Sequence, residues 1–167
     1  AAARAEEGSR ARDQRTSVDL QSLLAEHVDE LRARHHLGRD SVALANQQSV
    51  RVRGDAAELG LVFRNLLENA LKYSRDPVRI RVGIEEARDG RVRVEIADEG
   101  IGIPGHELER IFQRFYRAGR DVQRQVAGLG LGLFGVRTLL RKHGGRIAAF
   151  SEGAGRGSRF VVTLRPA

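Results

Sequence analysis

Two runs in this chain alternate apolar and polar residues, Val78-Ile80-Val82-Ile84 and Val92-Val94-Ile96, and they are joined across Arg88-Asp89-Gly90. Alternation at period two puts these side chains on one face of a sheet, and a short polar linker with a glycine closes the runs into an antiparallel hairpin. A one-sided apolar sheet needs a cover. The chain supplies it as helices: Leu20, Leu23, Leu24, Val28 and Leu31 fall at helical spacing from Ser17 or Asp19 onward. Leu59, Val62, Phe63, Leu66, Leu67, Ala70 and Leu71 form a second stripe behind Gly54-Asp55, a turn with a capping aspartate. Residues 41–46 and 50–53 read as short strands, 105–115 as a short helix after Pro104, and 130–143 as a helix stopped by Gly144-Gly145. Strands at 146–150 and 158–164 close the order. The expected fold is an α/β (α+β) two-layer sandwich, with a mixed, mostly antiparallel sheet and helices on one face.

A length of 167 residues with 41% hydrophobic content suits one domain with an ordinary core. Residues 1–16 are polar, alanine-rich and charged, and read as the end of a longer helix or a linker; 17–167 read as the domain. No apolar run approaches the roughly 20 residues that cross a bilayer, so this piece is expected to be soluble and to make no membrane contact; a cytoplasmic location is the expectation, with any membrane anchor of the parent protein upstream of it. Cysteine is absent, which removes disulfide frameworks and thiolate metal sites. The formal charge of +7 invites a nucleic-acid reading, but only Lys72 and Lys142 are lysines and the arginines are interspersed with acids along the chain. Nucleic acid is therefore not an expected partner.

Three segments carry chemistry. In Asn65-Leu66-Leu67-Glu68-Asn69-Ala70-Leu71-Lys72-Tyr73, residues 65, 69, 72 and 73 share one helix face, so amide, ammonium and phenol groups line one wall. Neutral amide oxygens suit a Mg²⁺ ion that keeps waters and phosphate ligands, which makes Asn69, with Asn65, the candidate metal ligand. Lys72 suits a phosphate, and the Tyr73 ring a base or ribose. In Asp98-Glu99-Gly100-Ile101-Gly102-Ile103, a carboxylate at a strand end among glycines accepts hydrogen bonds and donates none, which favours the exocyclic amine of adenine over the carbonyl of guanine. The run Gly128-Leu129-Gly130-Leu131-Gly132-Leu133 opens a helix with backbone N–H groups suited to phosphate oxygens, and its glycines suit a hinge for a lid over 117–127. It follows a polar stretch where a dinucleotide fingerprint needs a strand.

In this order, the three segments resemble the N, G1 and G2 boxes of the catalytic, ATP-binding domain of sensor histidine kinases, within the wider ATPase superfamily that includes gyrase, Hsp90 and MutL. Ile111-Phe112-Gln113-Arg114-Phe115-Tyr116-Arg117 resembles the F box, which favours the kinase branch. The resemblance spans about residues 17–165. It implies that Asn65 and Asn69 approach Mg²⁺ and phosphates, Lys72 contacts phosphate, Tyr73 borders the nucleotide and Asp98 reads adenine. It also implies that Gly100, Gly102 and Ile103 form the base pocket, that Arg117 reaches the γ-phosphate, and that Gly128, Leu129, Gly130, Leu131, Gly132 and Leu133 bind phosphate and hinge the lid. Phe112 and Phe115 anchor the lid's stem. Leu129 stands where many relatives carry a small or hydroxylated residue.

The family's phosphate-accepting histidine sits in a His-Glu-Leu-Arg context, which none of His27, His35, His36, His106 or His143 has. These five read as surface residues or caps. The resemblance therefore implies an ATP site whose acceptor histidine lies on a separate dimerisation domain, for relay to a response regulator, with Glu68 a weaker candidate for general base. It implies a monomeric fragment of a homodimeric parent. A serine kinase that inhibits a sigma factor and a nucleotide-binding adaptor are the competing readings.

Overall fold

The computed structural model describes residues 15–45, 48–114 and 132–167. In chain order its elements are β1 (Thr16–Asp19), α1 (Leu20–His35), β2 (Val42–Leu44), β3 (Arg51–Gly54), α2 (Ala56–Lys72), β4 (Ile80–Glu86), β5 (Val92–Asp98), α3 (Leu133–Lys142), β6 (Arg146–Phe150) and β7 (Ser158–Leu164). The hairpin lies near the middle of a five-stranded sheet of order β2-β4-β5-β7-β6. Only β2–β4 is parallel; the other pairs are antiparallel, with Ile80 opposite Asp98 and Asp98 opposite Ser158. The mixed, mostly antiparallel two-layer architecture is the expected one.

Alternation decides which face is covered. Ile80, Val82, Ile84, Val92, Val94, Ile96, Phe160, Val162 and Leu164 are buried and join one core with the stripes of the described helices α1, α2 and α3. Each such side chain contributes about 1.5–3 kcal/mol on burial. Leu20, Leu24, Val28 and Leu31 are the buried face of α1, and Leu59, Val62, Phe63, Leu66, Leu67 and Ala70 that of α2. The α2 N-terminus is capped as expected, with the Glu58 N–H donating to Asp55 at 2.9 Å.

Three expectations change. Residues Thr16–Asp19 form a strand paired with β3, where a helix start was expected. Val18 and Val52, opposite each other, are both buried, and this nonlocal pairing outweighs local helical spacing. Asp19 still caps α1, accepting from the Ser22 N–H at 3.3 Å and from the Ser49 hydroxyl at 2.9 Å. The Ser49 hydrogen bond, foremost, holds this carboxyl below its ordinary 3.8.

Second, the described part of the 105–115 helix is two 3₁₀ turns, Gly105–Glu107 and Arg110–Phe112. Neither turn has a side-chain cap, and a segment this short gains too few i→i−4 bonds to offset nucleation. Phe112 fixes the second turn by packing edge-on against Phe160, 6.3 Å between ring centres.

Third, the histidines are not all surface groups. His143 is 6% exposed: its Nδ1 lies 2.8 Å from the Leu139 carbonyl, and its Nε2 accepts from the Asp55 N–H at 3.1 Å. That pairing requires the neutral Nδ1–H tautomer, which ties the end of α3 to the start of α2. His27 is half-buried over α2, where a Cβ on Gly60 would come within 2.9 Å of its Nε2. Replacing His143 by Ala removes the Asp55 N–H acceptor and opens a void, so equilibrium denaturation should show a loss of about 2–3 kcal/mol.

Candidate nucleotide site

The end of α2, the loop after β5 and the β6–β7 loop meet at Asp98. This residue is 6% exposed and is the one acid among the buried polar residues described. Its Oδ1 accepts from the Gly100 N–H at 2.8 Å, and its Oδ2 accepts from the Ser158 hydroxyl at 2.6 Å. An ionised carboxylate has about four lone-pair sites, so both oxygens can take a further donor. The group is thus fixed in orientation and still acceptor-only, which suits an amine such as that of adenine.

The glycines beside it are demanded by the protein's own backbone. A Cβ on Gly100 would lie 2.0 Å from the Tyr73 carbonyl oxygen and 2.6 Å from Asp98 Oδ1. Gly102 has φ +74°, and a Cβ there would lie 2.1 Å from the Gly153 carbonyl oxygen. Hydrogen bonds clamp this loop on both sides. The Ile101 N–H donates to the Tyr73 carbonyl at 3.0 Å, the Gly155 N–H to the Ile101 carbonyl at 2.7 Å, and the Ile103 N–H to the Ser151 hydroxyl at 3.0 Å. Arg75 donates to the Gly100 carbonyl at 3.1 Å.

Along α2, Asn65 is buried and its Nδ2 donates to the Leu61 carbonyl at 2.7 Å, which leaves Oδ1 as the atom available for another donor or a cation. Asn69 is half-buried one turn later. Two neutral amide oxygens one turn apart fit a Mg²⁺ ion that keeps waters and phosphate oxygens in its shell. Lys72 Nζ stands 5.5 Å from the centre of the Tyr73 ring. Burial, with a smaller contribution from Glu107, pushes the Tyr73 phenol above its ordinary 10.0. Raised in the folded state, this group favours folding below pH 10 and loses that contribution above it. Chemical denaturation should therefore show stability falling above pH 10 more steeply in the parent chain than in Tyr73→Phe.

Glu68 is turned elsewhere. Its carboxylate pairs with Arg34 at 2.7 Å and with His35 at 3.2 Å, both on α1, and so ties α2 to α1. Gly132 precedes α3 without a side-chain cap, and Leu133 packs partly against the core. Arg117, Gly128, Leu129, Gly130 and Leu131 lie outside the described residues, as does Phe115. The structure adds Ser158, Ser151 and Arg75 to the residues legible in the sequence. A lone serine at a strand start carries no signal until strand register sets it opposite Asp98.

A two-layer sandwich with a clamped carboxylate at the end of a central strand is the arrangement expected of an ATP-binding domain, and comparison with known proteins supplies the class. The family described as "Histidine kinase-, DNA gyrase B-, and HSP90-like ATPase" matches residues 54–167, and the chain belongs to it. The sensor protein kinase WalK of Staphylococcus epidermidis is 37% identical over 119 residues, which are 71% of this chain and 19% of WalK. The structure of the mycobacterial sensor histidine kinase MprB matches with a TM-score of 0.74 and 28% identity, over 92% of this chain and 99% of that one. Full-length ShkA in complex with AMPPNP matches with a TM-score of 0.72 and 26% identity, over 92% of this chain and 31% of ShkA. The chain thus spans a small part of whole kinases. Among the described residues no helix is long and apolar enough to cross a membrane.

Proposed function

We propose that this chain is the catalytic domain of a sensor histidine kinase, binding ATP with Mg²⁺ and presenting the γ-phosphate to a histidine on a separate dimerisation domain, from which it passes to a response regulator. The observation that carries the reading is the Asp98 carboxylate, buried and fixed by Gly100 and Ser158 at the mouth of the clamped glycine loop. Asp98 accepts the adenine amine, and the Gly100–Ile103 backbone and Tyr73 border the base. Asn65 and Asn69 would hold Mg²⁺, which when bound neutralises phosphate charge. Lys72 and Arg117 orient the phosphates, and Gly128 to Leu133 are assigned to phosphate binding. Phosphoryl transfer needs positioning and charge stabilisation more than covalent chemistry, and these residues supply both. With Glu68 engaged by α1, the proton acceptor belongs to the domain bearing the histidine. Residues 1–16 are assigned to the connection toward that domain, and the parent protein to a homodimer.

The test mixes the chain with γ-labelled ATP, Mg²⁺ and the parent's dimerisation domain. Acid-labile, base-stable label on the added domain, and none on the chain, is the expected result. Acid-stable label on a serine of an added protein would place the chain among serine kinases, and nucleotide binding without transfer would make it an adaptor.

A further inference from the structure

Among the described residues, the helices cover one face of the five-stranded sheet and nothing covers the other. On it four arginines converge, each from a different strand: Arg81 on β4, Arg93 on β5, Arg146 on β6 and Arg159 on β7. They line a single hollow of about 790 Å³. Strand register arranges them in two rows. Arg81 lies opposite Ala97, which lies opposite Arg159, and Arg159 lies opposite Phe150; on the far side Glu85 faces Arg93, with Thr163 between Arg93 and Arg146. Between these rows runs a line across the strands, Gly83, Glu95, Val161 and Ala148, small at both ends and with Glu95 drawn toward Arg159.

This floor is unusual for a sheet face that merely meets water. Glycine and alanine are poor strand formers, and a glycine inside a strand commonly marks the close approach of another backbone. The rows are four residues apart, about 13 Å, which matches the roughly 10–12 Å diameter of a helix with its side chains. Crossing four strands covers about 14 Å, or close to three helical turns. Arg81, Arg93 and Arg146 have no ion-pair partner among the described residues, while Arg159 reaches Glu95 at 3.4 Å and stacks 4.4 Å above the half-exposed ring of Phe150. An exposed aromatic stacked under one arginine, with three unpaired arginines on the same face, is a composition enriched at protein interfaces. Glu85 and Glu95 within the same hollow disfavour a continuous phosphate backbone or an anionic bilayer.

We infer that the open sheet face is a docking surface for an amphipathic helix of a partner protein, about three turns long, laid across the strands along Gly83–Ala148. The helix presents a small apolar stripe to the floor and discrete acidic side chains, spaced to miss Glu85 and Glu95, to Arg81 and Arg159 on one flank and to Arg93 and Arg146 on the other. This surface is separate from the nucleotide site and does not depend on it.

Fluorescence anisotropy tests this with a labelled helical peptide of about 14 residues carrying an alanine–leucine stripe flanked by glutamates. The comparison probes are the same peptide with lysines in place of glutamates, a single-stranded oligonucleotide, and phosphatidylglycerol-containing vesicles. The glutamate peptide is expected to bind at least tenfold more tightly than the lysine peptide, and to shift backbone amide resonances of the outward-facing residues on β4 to β7. Ala148→Trp, which fills the floor, and Arg93→Glu should each weaken it at least tenfold while ATP binding, measured in parallel, stays unchanged. Equal binding of the two peptides, no binding of the glutamate peptide, tighter binding of the oligonucleotide or vesicles, or indifference to Ala148→Trp in a variant that still binds ATP would overturn the assignment.

Discussion

Asp98→Asn is expected to leave the domain folded and to weaken ATP binding at least a hundredfold, about 2.7 kcal/mol. The substitution is nearly isosteric. The amide oxygen can still accept from the Gly100 N–H, now 2.8 Å from Oδ1, and the Ser158 hydroxyl, 2.6 Å from Oδ2, can rotate to accept from the new amide N–H. What disappears is the negative charge and one acceptor edge, so the adenine amine meets a donor. A hydrogen bond to a charged group contributes about 1.5–3 kcal/mol, and leaving buried polar groups facing each other adds a desolvation cost. Ser158→Ala, which frees the carboxylate without changing its charge, should weaken binding only about tenfold. Guanine discrimination should fall with the first variant and persist in the second. Calorimetry with ATP and GTP separates these cases, and unchanged circular dichroism shows that the fold survives.

Gly100→Ala is expected to abolish measurable nucleotide binding and to lower stability by about 3 kcal/mol, the upper part of the range for overpacked sites. The new methyl would stand 2.0 Å from the Tyr73 carbonyl oxygen, a backbone atom at the end of α2 that has no rotamer by which to retreat. The loop must move instead. Four hydrogen bonds are tied to its position: Gly100 N–H to Asp98, Ile101 N–H to Tyr73, Gly157 N–H to Gly100 and Arg75 to Gly100. Displacement misplaces Asp98 and Tyr73 together, so binding and stability fail in one step. Gly105→Ala, a few residues on where a Cβ meets nothing within 4 Å, is the control and should change neither.

The contrast between these glycines shows what a sequence discloses. D-x-G-x-G after a strand announces a tight loop beside a carboxylate, and the hairpin before it announces which face is buried, because both signals are local. The reason for Gly100 lies instead in a carbonyl contributed by Tyr73, and the reason for Gly102 in one contributed by Gly153, far along the chain. The same holds for Ser158, which becomes part of the site only through its register with Asp98. It holds for β1, a four-residue strand whose partner lies beyond α1 and β2. His143 looked like a cap on the helix before Gly144, and its burial depends on the Asp55 N–H at the start of a different helix. The arginines appeared dispersed because each stands on its own strand, and only the sheet gathers four of them onto one face. Local periodicity set the elements, while partner identity came from pairing between them.

The proposed function requires binding of ATP with Mg²⁺ through residues on α2 and the loop after β5. Its most direct test is calorimetric titration of ATP into the folded chain with and without Mg²⁺. Micromolar binding that Mg²⁺ alters, with the Mg²⁺ effect lost in Asn69→Ala while nucleotide is still bound, is the predicted result. Absence of any heat of binding from a chain whose thermal unfolding is cooperative would contradict it.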